Sequence, residues 1–236
     1  MLRIRLPMRT SIDHKAVVLL SGGMDSSTCL WWVKAQGCPE VHTVGIDYGQ
    51  RHRIELAFSA QLSARAGAAS HKVLRLDLTQ FGGNPLTDAG VAVPRASEDR
   101  QIRTVVPYRN MLFLTLAAAH AELLGVSDLY IAAVKDDDRS YRDCRRVFYD
   151  GLEGALSLGG THDRGVRVHS PFTGMWKTEV VKAGLELGVP YEMTHTCYEG
   201  KRPACGVCDA CAERIGGFKA NGVRDPIEYE TRYRMR

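Results

Sequence analysis

Two groups of residues in this chain have types and spacing that could do chemistry. One is Ser21-Gly22-Gly23-Met24-Asp25-Ser26, followed by Ser27; the other is Cys197, Cys205, Cys208 and Cys211, spaced C-x7-C-x2-C-x2-C. In the first, successive glycines let the backbone approach an oxyanion with no Cβ in the way, and the hydroxyls of Ser21, Ser26 and Ser27 can donate to phosphate oxygens. Asp25 cannot donate to an anion, so its part is to hold the loop or a Mg²⁺ ion. A Gly-rich turn with Ser26 as helix cap would account for a lone pair of glycines. Five fixed residues directly after an apolar strand ask for more, and the loop carries neither the Gly-Lys-Ser/Thr of a Walker A motif nor GxGxxG. In the second group, four thiolates satisfy tetrahedral Zn²⁺ and leave no open position, which marks a structural site. The two C-x2-C steps sharing Cys208 also suit an iron–sulfur cluster.

These residues need a scaffold, and the hydrophobic pattern supplies one. Ala16 to Leu20 (AVVLL) reads as a buried strand, the Gly-rich loop follows, and Ser27 to Lys34 reads as a helix, so the loop sits where backbone N–H groups and the helix dipole form an anion site. His42 to Asp47 reads as a second strand, Arg51 to Ala66 as a helix, and Val73 to Leu78 as a third strand. Residues 79 to 104 lack a period and contain Gly82, Gly83, Pro85 and Pro94, the pattern of a functional or mobile loop. Asn110 to Leu124 is an apolar helix, Asp128 to Val134 a strand, Arg142 to Leu158 a helix, Val166 to Pro171 a strand and Lys177 to Leu187 a helix. The alternation predicts an α/β fold with a doubly wound, mainly parallel sheet, whose ligands sit beyond the carboxyl ends of the strands. The regular pattern ends near Pro190, which divides residues 1–190, an α/β domain with the phosphate-binding loop, from residues 191–236, a small zinc-binding subdomain.

Composition limits the function classes. The chain has 236 residues, 44% hydrophobic, enough for one core and an appendage. No apolar stretch is long enough to span a bilayer, and Met1 to Thr10 lacks the apolar run of a signal peptide, so a cytoplasmic protein without membrane attachment is expected. The net charge of +4 is spread over 31 basic and 27 acidic residues, which permits a nucleic-acid partner without demanding one. Seven cysteines without export features point to metal in a reducing compartment rather than to disulfides. Cys29 and Cys38 read as core residues; Cys144 stays open.

With these residues in view, the chain resembles the 7-cyano-7-deazaguanine synthase family of the pyrophosphatase-loop ATPases over nearly its whole length. The resemblance rests on SGGMDS, Asp47-Tyr48-Gly49-Gln50-Arg51-His52, Val106-Pro107-Tyr108-Arg109-Asn110, Ser140-Tyr141-Arg142-Asp143-Cys144-Arg145, Lys177-Thr178-Glu179 and the text around the four cysteines. It implies adenylation of 7-carboxy-7-deazaguanine by ATP with Mg²⁺, displacement of AMP by ammonia, and dehydration of the amide to the nitrile, with Zn²⁺ on the cysteines and a homodimeric assembly. Carried onto this sequence, ATP falls to Ser21, Gly22, Gly23, Met24, Asp25, Ser26, Ser27, Asp47 and Tyr48. Catalysis falls to Asp25, Ser26, Arg109 and Lys177, and the deazapurine to Arg51, Arg109, Asn110, Tyr141, Asp143 and Arg145. Asp143 suits the paired N–H donors of a guanine-like edge, and the planar forks of Arg109 and Arg145 suit a carboxylate or phosphates. Asp136 to Asp138 read as a solvated acidic turn or as help with Mg²⁺.

The chain departs from the family at Tyr108, Ser140 and Arg142, expected beside the acyl group. Those departures keep open a relative that passes the same adenylate to a protein acceptor, joining a deazaguanine to its amine. A tRNA-thiolating enzyme would need a persulfide or cluster and a basic face. A zinc-ribbon nucleic-acid module would leave SGGMDS without a purpose.

Overall fold

The computed structural model describes residues 14–96, 104–139, 141–161 and 165–230; Met1 to Thr10 and Ser140 lie outside them. β1 (Ala16–Leu19), β2 (Val41–Asp47), β3 (Ser70–Arg75), β4 (Asp128–Tyr130) and β5 (Arg167–His169) form one sheet in the order β3-β2-β1-β4-β5, every pair parallel. A parallel sheet needs helices on both faces. On one face Val17, Leu19, Val44 and Ile46 pack against Leu114, Ala117 and Ala121 of α3 (Arg109–Leu123) and Leu152 of α4 (Arg146–Gly159). On the other, Ala16, Val18 and Leu20 pack against Leu30 and Val33 of α1 (Met24–Ala35), Phe58 and Leu62 of α2 (Glu55–Arg65), and Val180 of α5 (Lys177–Glu186). The period-2 alternation of an all-apolar strand thus feeds two cores at once.

Register places the site. Ala16 to Leu19 lie opposite Val41 to Val44, and Ala16 to Val18 opposite Asp128 to Tyr130, so the loops after β1, β2 and β4 leave the sheet along one rim. The strand order reverses at β1, which opens a crevice between the loops after β1 and β4. SGGMDS occupies that point.

Several elements differ from the sequence reading. α1 starts at Met24, inside the Gly-rich loop, and α2 starts only at Glu55, because the chain from Arg51 turns to meet the long loop through Arg51 N donating to Leu86 O. The third strand lies at Ser70–Arg75 rather than Val73–Leu78; the apolar residues after Arg75 still reach β2, with Leu76 N bonding Asp47 O. The helix expected from Arg142 is a 3-10 turn at Arg142–Cys144, an extended Arg145, and then α4. Asp143 explains the break, since its carboxylate turns away to accept the Asn110 N–H at the start of α3.

After α5 the chain folds back on the main body instead of hanging from it. Phe218 of α6 (Asp209–Ala220) packs with Met24, Val181, Val189 and Tyr191, and Arg214, fully buried, donates to Asp225, Thr194 Oγ1 and the Tyr191 carbonyl. The long loop is pinned on two sides. Arg51 donates to the carbonyls of Asp88 and Val91, while Ala96 N bonds Val207 O beside the cysteines.

Candidate functional site

The loop after β1 is braced by its own side chains. Ser21 Oγ lies 3.0 Å from Ser26 Oγ and accepts from Gly23 N, while Ser26 and Ser27 donate to the Gly23 carbonyl at 3.2 and 2.7 Å. Gly22 has φ +90, and a Cβ there would stand 2.3 Å from the Glu55 carbonyl and 2.9 Å from Ser59 N, so α2 lies directly against the loop. From the other side His195 N donates to Gly22 O. No side chain caps α1 at Gly23, so its first-turn N–H groups point out of the loop in the manner of an anion cradle.

Asp25, in the first turn of α1, meets Lys177 at the start of α5, Oδ2 to Nζ 2.5 Å, and its Oδ1 is buried without a partner. Glu213 Oε2 lies 3.9 Å from the same ammonium. Burial works against the charge on Lys177, but Asp25, Glu213 and Asp137 outweigh it and hold the ammonium above its ordinary range. The carboxylates absorb the opposite strain: burial pushes Asp137 up and raises Glu213 to about 7. Of the acidic turn, Asp136 accepts the Lys177 backbone N–H and so fixes the start of α5, and Asp137 accepts Val134 N and faces the crevice.

The crevice is a cavity of about 250 Å³ running from Ser21, Gly23, Met24, Asp25 and Ser26 over the ends of β1, β2 and β4. Tyr48, Arg109, Asn110, Tyr141 and Lys177 line it. Arg109 forms no ion pair among the described residues; its guanidinium lies 5.9 Å from the Tyr141 ring centroid, in a wall completed by Tyr48 and Tyr198. Asn110 is spent on structure, donating to Asp143 O and Cys144 Sγ.

Other expected residues sit elsewhere. Asp47 accepts from Arg53, Arg51 holds the long loop and lies 3.6 Å from Glu199, Asp143 caps α3, and Arg145 is exposed; none of the four is among the cavity-lining residues. Gly22 and Ser27 support the loop from behind. Tyr108 is 72% exposed with φ 57, and Arg142 is exposed too, so neither departure faces the cavity.

Sequence reasoning passed over Glu55, Phe113, His195, Thr196, Tyr198 and Glu213, all in the cavity wall. Thr196 and Tyr198 flank Cys197, and Glu213 lies two positions beyond Cys211, so residues beside a metal ligand were the available signal. Nothing in the sequence sets Glu55 apart. His52, present only as part of a hexapeptide, is buried with Nδ1 unpartnered, and burial, helped by Arg109, pulls it to about 3.

The four cysteines converge. Their Sγ atoms are buried and lie within 4.8 Å of one another, Cys205 and Cys211 at 3.9 Å. Cys205 N points at Cys197 Sγ, and the N–H groups of Val207 and Cys208 at Cys205 Sγ, at 3.3 to 3.5 Å. Four thiolates at Zn–S ~2.3 Å would stand about 3.8 Å apart, so the donor set and spacing fit tetrahedral zinc.

A family model described as "Queuosine biosynthesis protein QueC" matches residues 15–222. A 7-cyano-7-deazaguanine synthase of Clostridium kluyveri is 42% identical over 222 residues, 92% of this chain and 98% of that protein. One from Anaeromyxobacter dehalogenans is 44% identical over 229 residues, 93% of this chain and 97% of that protein. Among solved structures, the U34-tRNA thiolase NcsA from Methanococcus maripaludis with its [4Fe-4S] cluster aligns at 14% identity and TM-score 0.49, covering 89% of this chain and 66% of that one.

Proposed function

Because the chain belongs to the QueC family of queuosine biosynthesis proteins, we propose that it uses ATP to convert 7-carboxy-7-deazaguanine into 7-cyano-7-deazaguanine, with ammonia as the nitrogen source. The observation that carries this reading is the SGGMDS loop at the reversal of strand order, braced by its own serines and opening into the same cavity as Arg109, which forms no ion pair among the described residues. A cradle of helix N–H groups suits the β,γ-pyrophosphate as a leaving group, so attack falls on the α-phosphorus and the product is AMP.

In this mechanism Ser21, Ser26 and the backbone from Gly23 to Ser26 bind the departing pyrophosphate. Lys177, kept charged by its carboxylate neighbours, stabilises the growing negative charge there. The buried, unpartnered Oδ1 of Asp25 is an oxygen donor suited to Mg²⁺, which would neutralise phosphate charge. Arg109 holds the substrate carboxylate or the negative charge of the adenylate, with Tyr48 and Tyr141 beside it to pack a planar base. Cys197, Cys205, Cys208 and Cys211 would hold structural Zn²⁺, which keeps Thr196, Tyr198 and Glu213 at the cavity. No helix among the described residues is long and apolar enough to cross a membrane, and ATP chemistry beside free thiols fits the cytoplasm.

Transfer of the adenylate to a protein amine gains no support from Tyr108 and Arg142, which are turned to solvent; Ser140, the third departure, lies outside the described residues. The test supplies 7-carboxy-7-deazaguanine, MgATP and ammonium and follows products by mass spectrometry. The nitrile with two AMP per turnover is expected; ADP, or a mass gain on an acceptor protein, would overturn the reading.

A further inference from the structure

Glu55 is a carboxylate in the wrong place for an ordinary helix-start glutamate. It occupies the first position of α2, yet it caps no N–H group there, and only 8% of it is exposed. Its Oε1 accepts from Gln50 Nε2 at 3.1 Å. That amide cannot be turned round, because Gln50 Oε1 already accepts the Tyr48 N–H and Nε2 also donates to Ile46 O. The single basic side chain at ion-pair range among the described residues is His52, Nε2 to Oε1 3.6 Å, which burial keeps neutral. Gly22 fixes the glutamate's position, since α2 touches the phosphate loop at the Glu55 carbonyl itself. Its side chain lines the same cavity as Arg109, and the two charges make no ion pair with each other.

A buried carboxyl group and a half-buried guanidinium left apart in one cavity are each costly to charge, and the cost is offset when each meets an opposite charge from outside. The proposed reaction brings two such charges: a carboxylate and an ammonium ion. We propose that Glu55 receives ammonium in this cavity and acts as the general base that frees ammonia to attack the adenylate, while Arg109 holds the acyl side. This rests on the function proposed above.

The step balances. Ammonium gives one proton to the Glu55 carboxylate, and the ammonia nitrogen forms a bond to the acyl carbon of the adenylate. The tetrahedral adduct then passes a second proton to the AMP phosphate as the acyl carbon–oxygen bond breaks, leaving the amide, AMP and a protonated Glu55. Burial raises Glu55 to about 8, against opposing pulls from Gln50 and Arg109, which suits a group that must take a proton from ammonium near neutrality and later release it. The other groups facing it stay in one state: His52 is drawn down to about 3, His195 from the segment after α5 is lowered, Tyr48 at the end of β2 is raised above its usual range, and Arg109 of α3 remains charged.

The experiment separates adenylation from amidation. Glu55→Gln is assayed for substrate-dependent exchange of pyrophosphate into ATP, for amide formation from ammonium, and for hydroxamate formation from hydroxylamine, which is already neutral and needs no deprotonation before attack. Expected are persistent exchange, amide formation reduced on the order of 10²- to 10⁴-fold, and hydroxamate formation close to wild type. Amide formation that is unchanged, or amide and hydroxamate falling together, overturns the proposal. If the variant does not fold by circular dichroism, the wild type decides alone. At constant sub-saturating free ammonia, amide formation must fall as pH rises through about 8, because the reacting pair shares one proton between Glu55 and the amine. A flat profile overturns the proposal. Absence of substrate-dependent exchange in the wild type would instead remove the adenylation reading, and this proposal with it.

Discussion

Replacing Gly22 by alanine tests the contact that joins the phosphate loop to α2, and Gly37 supplies a matched control. Both glycines have nearly the same backbone, φ +90 and φ +87, but a Cβ at Gly37 meets nothing within 4 Å, whereas at Gly22 it would stand 2.3 Å from a backbone carbonyl. Gly37→Ala therefore carries only the left-handed backbone penalty, about 1 to 2 kcal/mol. Gly22→Ala adds a contact about 1 Å too short against α2, which cannot yield freely because Phe58, Ser59 and Leu62 are buried. Overpacking of this kind adds about 1 to 3 kcal/mol, giving about 2 to 5 kcal/mol in all. For a chain of this size each kcal/mol lowers Tm by roughly 2 to 4 °C, so Gly22→Ala should melt on the order of 10 °C lower and Gly37→Ala only a few degrees lower. Differential scanning calorimetry gives both values, and pyrophosphate exchange at a temperature where each variant is folded gives the second signature. Gly37→Ala should exchange normally, and Gly22→Ala should not, because its loop must leave Glu55 and His195. Equal losses of stability in the two variants would refute the close approach of loop and helix.

The other predictions concern the supports of the site. Elemental analysis should find about one zinc per chain, and Cys208→Ser should lose it and melt at lower temperature; iron in its place, or full zinc in the variant, would contradict the assignment. Arg214→Met leaves the Asp225 carboxylate buried without its cationic partner, with Tyr229 OH and Ile227 N still donating to it, and should cost about 3 to 5 kcal/mol, read from urea unfolding. Burial pushes Asp128 up, but hydrogen bonds from His169 and Arg167 outweigh it and hold its carboxyl below the ordinary range. It therefore stabilises the fold above about pH 4 and ceases to do so as pH falls through its depressed folded value. Asp128→Asn should accordingly be less stable than wild type at pH 7, and the gap should close on acidification; a gap independent of pH would show that the ion pairs contribute nothing.

The parts of this molecule that were legible in its sequence are those whose signal is local. An all-apolar strand, a Gly-rich turn and a helix follow one another within twenty residues, and C-x2-C spacing is itself a metal geometry. The four cysteines and the loop lie where the spacing implied. The placements that local sequence does not foretell are non-local. Asp143 has the chemistry to bind a guanine-like edge, but a donor brought by α3 uses its carboxylate, and no property of the hexapeptide around it foretells that. Arg51 likewise is spent on carbonyls of a loop about forty positions away. Glu55 went unnoticed because an acidic residue in the first turn of a helix is commonplace; its burial arises only once Gly22 lets the loop close over it. Tyr108 and Arg142 were expected at the acyl group from proximity in sequence to Arg109 and Asp143, and the backbone turns both outward.

The way the cavity is divided along the chain bears on how the protein is made. Ser21 to Ser26 leave the ribosome about 170 residues ahead of Thr196, Tyr198 and Glu213, which complete the wall. β1, β2 and α1 can pair as soon as they are out, but β4 must still insert beside β1, and α6 must then close onto Val181 and Met24. A nascent chain that has not yet reached Cys205 therefore carries a phosphate loop facing water with no closed chamber around it. Such a chain could capture nucleotide, but it would have no means of shielding a reactive acyl adenylate from hydrolysis. The segment that carries the four cysteines thus joins the fold after the nucleotide loop has formed, and only from then on can the chamber protect what it makes.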